Sequence, residues 1–314
     1  MFLCVSLNPA VDKRLRLGRL QVGSVNRASE ASPAPGGKAA HVAMVLKTLG
    51  ADPLWLGFAG GGAGKQLVEG LRGLAIGVHE IPTSGCTRTN LEIVEDEGGV
   101  TEILEPGQHI TAEELRRFQE TFSILLNEAS PEQPTVIFSG SLPEGVPPNL
   151  YLTLIESAHE FDSLVFVDTS GEPFKFALAG KPDFVKPNRS EAESWSGQAI
   201  SGPSSAKEIL GAMLKAGAGA GAITLGSAGL IWHSGAGDTL VANAPRLSAR
   251  SCVGSGDSTL AGFAFAAQQR LPPVEAVRLA AACGSANCLA PGPGCARAED
   301  IASLKGQIRV ETLA

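Results

Sequence analysis

One aspartate in this sequence is surrounded by residues with almost no side chain. Asp257 lies in the stretch CVGSGDSTLAGFAFA, residues 252–266, where a Gly-Ser-Gly turn precedes a run of small and apolar residues. The first backbone N–H groups of a helix have no partner within it, and the helix dipole adds positive charge there. If a helix begins here, the turn is an anion site, and Gly254, Ser255 and Gly256 are small so that a phosphate can approach the amides.

Asp257 is open to two interpretations. It is a favourable acid for the first turn of a helix, which needs no further function. That accounts for the aspartate but not for the small residues on both sides of it. In the other interpretation, the amides stabilise charge on a transferring phosphoryl group and Asp257 takes the proton of an attacking hydroxyl. This second interpretation explains every part of the stretch, and we favour it.

Two other glycine-rich segments do not fit nucleotide-binding motifs. The segment AGGGAGKQ, residues 59–66, resembles a P-loop, but Ala59 replaces the first glycine and Gln66 replaces the hydroxyl residue that binds magnesium. The segment GAGAGA, residues 217–222, lies between a predicted helix and a predicted strand. A dinucleotide fingerprint needs the opposite order. The sequence therefore supports neither a Walker-type NTPase nor a Rossmann dehydrogenase.

The elements that must position Asp257 alternate along the chain. Short apolar runs predict strands buried on both faces, at residues 2–7, 53–58, 135–140, 163–170, 183–188 and 222–227. Helical patterns that end in glycine lie between several of them. Strands that alternate with helices predict an α/β fold, with a parallel sheet covered on both sides, as a single domain over residues 1–314.

Two stretches depart from this alternation. Residues 11–33 and 86–105 alternate apolar and polar residues around turns, which is the antiparallel hairpin pattern. Ordinary surface hairpins would show the same pattern. We favour a small sheet that forms a lid at the carboxyl ends of the main strands, where α/β folds bind ligands.

Composition excludes several classes of partner. The formal net charge of −7 gives no long-range attraction for nucleic acid. No apolar run approaches the roughly 20 residues of a membrane span, and we recognise no secretion signal, so we expect a cytoplasmic protein. The six cysteines form no C-x-x-C pair, which favours buried free thiols over a zinc site or disulfides.

Motifs along nearly the whole chain resemble those of the PfkB (ribokinase-like) carbohydrate kinases, and within them the branch of 1-phosphofructokinases and tagatose-6-phosphate kinases. Their order and spacing carry the resemblance: SLNPAVDKRLRL at 6–17, PGGK at 35–38, TRTN at 87–90, SGSLPEGVP at 139–147, VDTSGEPFK at 167–175, VKPNRSEAE at 185–193, ITLGSAGL at 223–230, VGSGDSTLAGF at 253–263 and AACGSANCLAPG at 281–292. The resemblance implies a ribokinase-like three-layer α/β/α fold with a mostly parallel central sheet and a small β-sheet lid.

The resemblance also implies roles for individual residues. Asp257 matches the catalytic base, and Gly254, Ser255 and Gly256 match the anion hole. On the sugar side, the resemblance implies that Asp12 binds sugar hydroxyls and that Gly36 and Gly37 let the sugar approach the backbone. The cations implied for a phosphate already on the sugar are Lys38, Arg27 and Arg88. Ser139 completes the implied sugar side. The implied nucleotide side comprises Lys186, Asn188, Thr224, Gly226, Ser227, Gly229, Ser285 and Asn287. Glu191, with Asn188, forms the N-x-x-E element that organises magnesium and its waters, although an asparagine at a helix start followed by a first-turn glutamate explains the same spacing.

Two positions depart from the family pattern. Relatives usually have Gly-Gly-Lys-Gly, a variable residue and then Asn, whereas Ala39, Ala40 and His41 follow Lys38 here. His41 either hydrogen-bonds the substrate or packs as a helix histidine, and both interpretations stay open. Cys252 replaces a frequent threonine before the anion hole. These departures bear on the identity of the sugar and leave phosphoryl transfer intact.

The sequence thus predicts an ATP-dependent, magnesium-assisted kinase of a ketohexose phosphate. Fructose 1-phosphate is the first candidate substrate, followed by tagatose 6-phosphate and fructose 6-phosphate. The alternatives are a kinase of an unphosphorylated sugar or nucleoside, and a sugar-phosphate binding protein without catalysis. Because an exposed lid sheet has unpaired edges, we expect a homodimer that forms through the lid.

Overall fold

The main sheet of the protein is mostly parallel. A computed structural model describes residues 1–129, 133–235 and 237–313. The strands are β1 Phe2–Ser6, β2 Ala10–Leu17, β3 Glu30–Gly36, β4 Pro53–Ala59, β5 Gly77–Pro82, β6 Arg88–Glu95, β7 Val100–Leu104, β8 Thr135–Ser139, β9 Leu164–Asp168, β10 Phe184–Val185, β11 Ala220–Thr224, β12 Leu230–Ser234, β13 Thr239–Ala242 and β14 Val310–Leu313. Ten of them form one sheet in the order β14-β13-β12-β11-β10-β9-β8-β1-β4-β5. The strands from β11 to β5 in that order run parallel, and β12, β13 and β14 add an antiparallel edge.

Helices cover both faces of this sheet. They are α1 Lys38–Thr48, α2 Gly61–Gly73, α3 Ala112–Ala129, α4 Leu150–Glu160, α5 Gly171–Ala179, α6 Arg189–Ser196, α7 Pro203–Lys215, α8 Ser255–Gln268, α9 Pro273–Asn287 and α10 Ala298–Lys305. Alternate residues of one strand point to opposite faces, so Cys4 joins a core with α1, α8 and α9, while Leu3 and Val5 join a second core with α3, α4 and α7. The predicted three-layer α/β/α architecture is confirmed. Within the described residues, no helix combines the length and the apolar character needed to span a membrane.

A separate lid sheet has the strand order β3-β2-β6-β7. Each predicted hairpin is antiparallel, β2 with β3 and β6 with β7, and the parallel pair β2–β6 joins the two. The hairpin interpretation is therefore confirmed, and β3 continues to Gly36, beyond the predicted end at residue 33. The parallel junction was not readable from the sequence because it joins segments that are far apart along the chain.

The local predictions differ from the structure in two details. The run at residues 183–188 forms a strand of only two residues, Phe184 and Val185, because Pro187 lacks the N–H that a continuing ladder needs. The six cysteines are free, but only Cys4 and Cys283 are buried, while Cys86 and Cys252 are exposed. The predicted burial of the thiols is thus wrong for part of the set.

Candidate active site

A cavity of about 1180 Å³ lies where the carboxyl ends of the parallel strands meet the lid. Because parallel strands end at the same edge of a sheet, residues that follow β8, β9, β10 and β11 converge there. The lid contributes Asp12, Arg88, Asn90 and Glu102 to the opposite wall. The cavity therefore has the position expected of a ligand site in an open α/β sheet.

The Gly-Ser-Gly turn forms one end of this cavity. Gly254 has a φ of 79°, and a Cβ built on it would lie 2.7 Å from Pro293 Cβ, so the position favours glycine for both conformation and space. The Ser255 amide donates to the Cys252 carbonyl at 3.2 Å. Within the described part of the chain, the amides of Gly256 and Asp257 have no backbone acceptor and remain free to bind an anion.

Asn287 holds this turn in place. Its Nδ2 donates to the Val253 carbonyl at 2.7 Å, and its Oδ1 accepts from the Gly294 amide at 2.9 Å. The side chain is buried and does not line the cavity. The sequence placed Asn287 with the nucleotide-binding residues, but both of its polar groups are already used in bracing the catalytic turn.

Asp257 and Asp12 meet through His41. The imidazole Nδ1 lies 2.8 Å from Asp257 Oδ2, and Nε2 lies 2.8 Å from Asp12 Oδ2. Asn90 Nδ2 donates to the other oxygen of Asp12 at 2.9 Å. Burial raises the pKa of Asp12, but the hydrogen bonds from His41 and Asn90 and the nearby positive charge outweigh burial and hold that pKa below its usual value. Asp12, His41 and Asp257 all line the cavity.

Two lysines converge on a buried aspartate beside the turn. Asp168 Oδ1 lies 3.2 Å from Lys38 Nζ, and its Oδ2 lies 3.1 Å from Lys186 Nζ. Burial raises the pKa of Asp168, but the charges of Lys186 and Lys38 lower it further than burial raises it. A Cβ on Gly256 would lie 3.1 Å from Lys186 Nζ, so this cation reaches the amide turn. The cluster places two ammonium groups in the cavity beside the amide turn.

Asp168 is a site residue that the sequence analysis missed. It ends β9 within the quoted motif VDTSGEPFK, and an acidic side chain at the carboxyl end of a buried strand is the signal that could have identified it. The ammonium of Lys38, predicted to bind the sugar's own phosphate, faces Asp168 and Glu191 at 3.2 and 3.7 Å.

The N-x-x-E element is a capping box. Asn188 Oδ1 accepts from the Glu191 amide at 2.9 Å, and Glu191 Oε2 accepts from the Asn188 amide at 2.8 Å. The helix-start interpretation is thus correct for the geometry of this pair. Glu191 Oε1 is turned toward Lys38 and lines the cavity, so one carboxylate oxygen remains directed at the site.

Seven of the eight residues assigned to the nucleotide side line the cavity, and Asn287 is the exception. The seven are Lys186, Asn188, Thr224, Gly226, Ser227, Gly229 and Ser285. A Cβ on Gly229, whose φ is 91°, would lie 1.9 Å from the Ala242 carbonyl oxygen, so this turn also needs glycine. A further lining segment follows β13 and includes Asn243, Arg246 and Leu247. It carries no periodicity or motif, so nothing in the sequence identified it.

Three predicted sugar-side residues lie outside the cavity lining. Arg27 is exposed on the loop between β2 and β3. Ser139 is buried at the end of β8, and Ser141 lines the cavity in its place, with Asn8 Nδ2 donating to its hydroxyl at 3.0 Å. A Cβ on Gly36 would lie 2.4 Å from Asp12 Oδ1, so the absence of a side chain at Gly36 makes room for that carboxylate. Gly37 and Arg88 line the cavity as predicted.

A hydrogen-bonded chain connects the lid with the catalytic turn. Arg14 Nε donates to Glu92 Oε2 at 2.8 Å within the lid, and the Ser251 hydroxyl donates to Glu92 Oε1 at 2.6 Å. The Val253 amide in turn donates to the Ser251 oxygen at 3.2 Å. Because Glu92 is only 5% exposed, the carboxylate that couples the lid to the turn has little access to replacement water.

We predict that Ser251→Ala weakens this coupling. The substitution leaves one oxygen of the buried Glu92 without its donor, which costs about 1–3 kcal/mol of unfolding free energy. The loosened lid is expected to raise the KM for the sugar several-fold. Urea unfolding and steady-state kinetics measure both effects. Ser123→Ala, at an exposed hydroxyl on α3, is the control, and equal behaviour of the two variants would contradict the coupling.

The fold and site define a class of protein. A mostly parallel α/β sheet holds an acid beside free helix-start amides and two lysines in one lidded cavity, which is the equipment of a phosphotransferase that acts on an alcohol. The chain belongs to the pfkB family of carbohydrate kinases, whose family model matches residues 5–299. The predicted family, fold and enzyme class are confirmed.

Individual relatives extend this result. The 1-phosphofructokinase of Xanthomonas campestris pv. campestris is 36% identical over 273 residues, which cover 84% of this chain and 83% of that protein. The 1-phosphofructokinase of Vibrio cholerae serotype O1 is 28% identical over 310 residues, covering 98% and 96% of the two chains. The crystal structure of Escherichia coli phosphofructokinase-2 in complex with substrates and products matches with a TM-score of 0.90 at 24% identity and covers 98% of both chains.

Proposed function

We propose that this protein transfers the γ-phosphate of ATP to a hydroxyl of a ketohexose phosphate, with fructose 1-phosphate as the first candidate. Tagatose 6-phosphate and fructose 6-phosphate follow. The observation that carries the proposal is Asp257, held in the cavity directly beside free amides and the lysine pair. The 36% identity to a 1-phosphofructokinase supports the choice of sugar.

The residues divide the work of phosphoryl transfer. Asp257 accepts the proton of the acceptor hydroxyl. The oxygen of that hydroxyl bonds to the γ-phosphorus, and the bond from that phosphorus to the ADP oxygen breaks. The amides of Gly256 and Asp257, with Lys186 and Lys38, stabilise the charge on the transferring group. In a loose transition state the proton leaves late, so a well-positioned carboxylate is a sufficient base.

The substrate end of the cavity lies under the lid. Asp12 is placed to bind sugar hydroxyls, and Arg88 is the lid cation that supports binding of the sugar's own phosphate. Arg88 Nη2 donates to the Asn8 carbonyl at 3.1 Å and Nη1 donates to the Glu105 carbonyl at 3.2 Å, so its guanidinium is held in place before a ligand arrives. A preorganised guanidinium loses less freedom when it binds a phosphate.

Magnesium fits this site only as an ion held largely by nucleotide phosphates. Among the described residues, no group of three or more acidic, histidine or cysteine side chains forms a metal cage. Glu191 Oε1 is directed into the cavity, and Mg²⁺ typically takes one or two carboxylates together with phosphate oxygens and waters. We propose that Glu191 holds the ion through water, where it would neutralise charge on the ATP phosphates.

We further propose a cytoplasmic homodimer that forms through the lid. On β7, the solvent-exposed apolar side chains include Ile103 at 50% and Leu104 at 59% exposure. An apolar strand at the edge of a small sheet is protected when a second copy covers it. A sedimentation measurement that finds a monomer at assay concentrations would contradict this part of the proposal.

A coupled assay of ADP release tests the function. The panel comprises fructose 1-phosphate, tagatose 6-phosphate, fructose 6-phosphate, the free ketohexoses and a nucleoside, each with ATP and Mg²⁺. We expect the highest kcat/KM with fructose 1-phosphate. If only the free sugars or the nucleoside are turned over, the result would favour a kinase of unphosphorylated acceptors. Thermal stabilisation by sugar phosphates with no ADP release would favour a binding protein without catalysis.

A further inference from the structure

We propose that His41 is a positioning residue, a buried imidazolium that fixes the base Asp257 and the sugar-binding Asp12 at one separation and leaves the second oxygen of Asp257 for the acceptor hydroxyl. The inference rests on the roles proposed above for the two aspartates. It assigns to His41 a function that the amide usual at this position in relatives does not provide, because an amide carries no charge.

The charge of His41 follows from its partners. Each ring nitrogen lies 2.8 Å from a carboxylate oxygen, and an ionised carboxylate only accepts hydrogen bonds. A neutral imidazole has a single N–H, so one of its nitrogens would direct a lone pair at a carboxylate. Two protons on the ring satisfy both contacts. Since both ring nitrogens are engaged, His41 would act on the sugar through the two aspartates.

The surroundings of the ring support the charged form. Burial lowers the pKa of the imidazole, but the hydrogen bonds and charges of Asp12 and Asp257 outweigh burial and raise the pKa of His41 to about 10. The other charged groups around it are Lys38 on its own helix, Arg88 from β6 and Glu102 from β7. Only 5% of the His41 side chain is exposed, so the carboxylates and not water provide most of the polar surroundings of the ring.

The ring is also held from behind. A Cβ on Gly294 would lie 3.0 Å from His41 Cα, so the loop after α9 packs directly against this residue. Asn287 anchors the same loop to the catalytic turn, since its Oδ1 accepts from the Gly294 amide. His41 is thus packed against a loop that Asn287 ties to the Gly-Ser-Gly turn.

The bridge gives Asp257 one fixed oxygen and one working oxygen. Asp257 Oδ2 is held by His41, while Oδ1 accepts no hydrogen bond from the described residues and is available to the hydroxyl. Asp12 reaches the same ring from lid strand β2, so the ring sets the distance between the sugar-binding group and the base. A misplacement of about 1 Å at such a site can cost about a hundredfold in rate.

Nuclear magnetic resonance tests the charge without any substrate. The full chain is labelled with ¹⁵N in its five histidines, and the His41 signals are identified by their loss in His41→Asn. We expect both ring nitrogens to carry protons at pH 8, where an ordinary histidine, with a pKa of about 6.5, is neutral. A single protonated ring nitrogen at pH 8 would overturn the proposal.

The pH dependence of unfolding gives a second substrate-free readout. When folding raises the pKa of a group, its protonated form stabilises the folded state. This contribution is complete below the pKa of the unfolded state, about 6.5, and it is lost as the pH rises through the pKa of the folded state. The urea midpoint of the wild type should therefore fall from pH 7 toward pH 10. The midpoint of His41→Asn should lack that component, and parallel curves for the two proteins would contradict a buried imidazolium.

Kinetics test the positioning role with the ketohexose phosphate that the wild type turns over fastest. We expect His41→Asn and His41→Gln to lower kcat about 10- to 100-fold while the KM for ATP stays unchanged. Loss of the imidazolium also removes a group that lowers the pKa of Asp12. As the pH is lowered, the KM for the sugar should therefore begin to rise at a higher pH in the variants than in the wild type. His159→Asn, far from the cavity, is the matched control.

The outcomes separate this proposal from the proposed function. Unchanged kcat in both variants would overturn the role of His41 even if the wild type is an active kinase. If no ketohexose phosphate is turned over, the proposed function fails, and the NMR and unfolding measurements still decide whether the charged bridge exists. Should His41→Asn not fold, His41→Gln and the wild-type spectrum carry the test.

Discussion

Replacing Asp257 by asparagine is expected to lower kcat by about 10²- to 10⁴-fold, the range that a positioned general base contributes. The amide has nearly the shape of the carboxyl group and can still accept a hydrogen bond from His41, but it cannot take the proton of the acceptor hydroxyl. The helix-start amides and the lysines that hold the phosphates are untouched. Binding of ATP and sugar phosphate should therefore persist while turnover is lost.

The measurement is ADP release under saturating substrates, together with calorimetric binding of each ligand. Asp52→Asn is the matched control, because Asp52 is 94% exposed and pairs only with Lys47 on the surface. Its kcat should equal that of the wild type. If Asp257→Asn retains wild-type turnover, Asp257 is only a helix-start acid and the proposed mechanism is wrong.

The second large effect is expected for Gly254→Ala. Gly254 has the left-handed φ of 79° that L side chains rarely adopt, and its Cβ would meet Pro293 Cβ at 2.7 Å. Relief of that contact requires movement of the turn that presents the Gly256 and Asp257 amides. Since loss of one preorganised donor can lower kcat about 10²-fold or more, we expect a loss of that size.

Gly197→Ala separates this effect from backbone strain. Gly197 ends α6 with a φ of 70°, and a Cβ there would meet nothing within 4 Å. Both variants carry the left-handed penalty, about 1–2 kcal/mol, in unfolding free energy. Only Gly254→Ala should lose activity as well. Equal kcat values for the two variants would show that the shape of the turn does not limit phosphoryl transfer.

Asp257 and its turn were predictable because the signal is local. The small residues, the acid and the helix follow one another within 15 positions of CVGSGDSTLAGFAFA, and the orphan amides of a helix start are a property of any such sequence. The same holds for Asn188 and Glu191, whose capping box spans a single helical turn. In both cases the residues that interact are neighbours in the chain.

The sequence did not show the protein partners of the predicted site residues. Asn287 has the polarity of a ligand-binding residue, but Val253 and Gly294 use its amide group. Lys38 was assigned to the sugar's phosphate, and the structure pairs it with Asp168, 130 residues away in the chain. A sequence shows which groups a side chain carries, but not which of them the fold leaves free.

By itself, the sequence determined the α/β class, the lid hairpins, the family and the acid beside a helix start, since each follows from periodicity or from motifs of contiguous residues. The tertiary structure alone decided that His41 bridges Asp12 and Asp257, which lie 29 and 216 positions from it, and that Glu92 couples the lid to Ser251 across 159 positions. Such contacts depend on the order of strands in two separate sheets. That order is set by the packing of the whole chain, so no short segment encodes it.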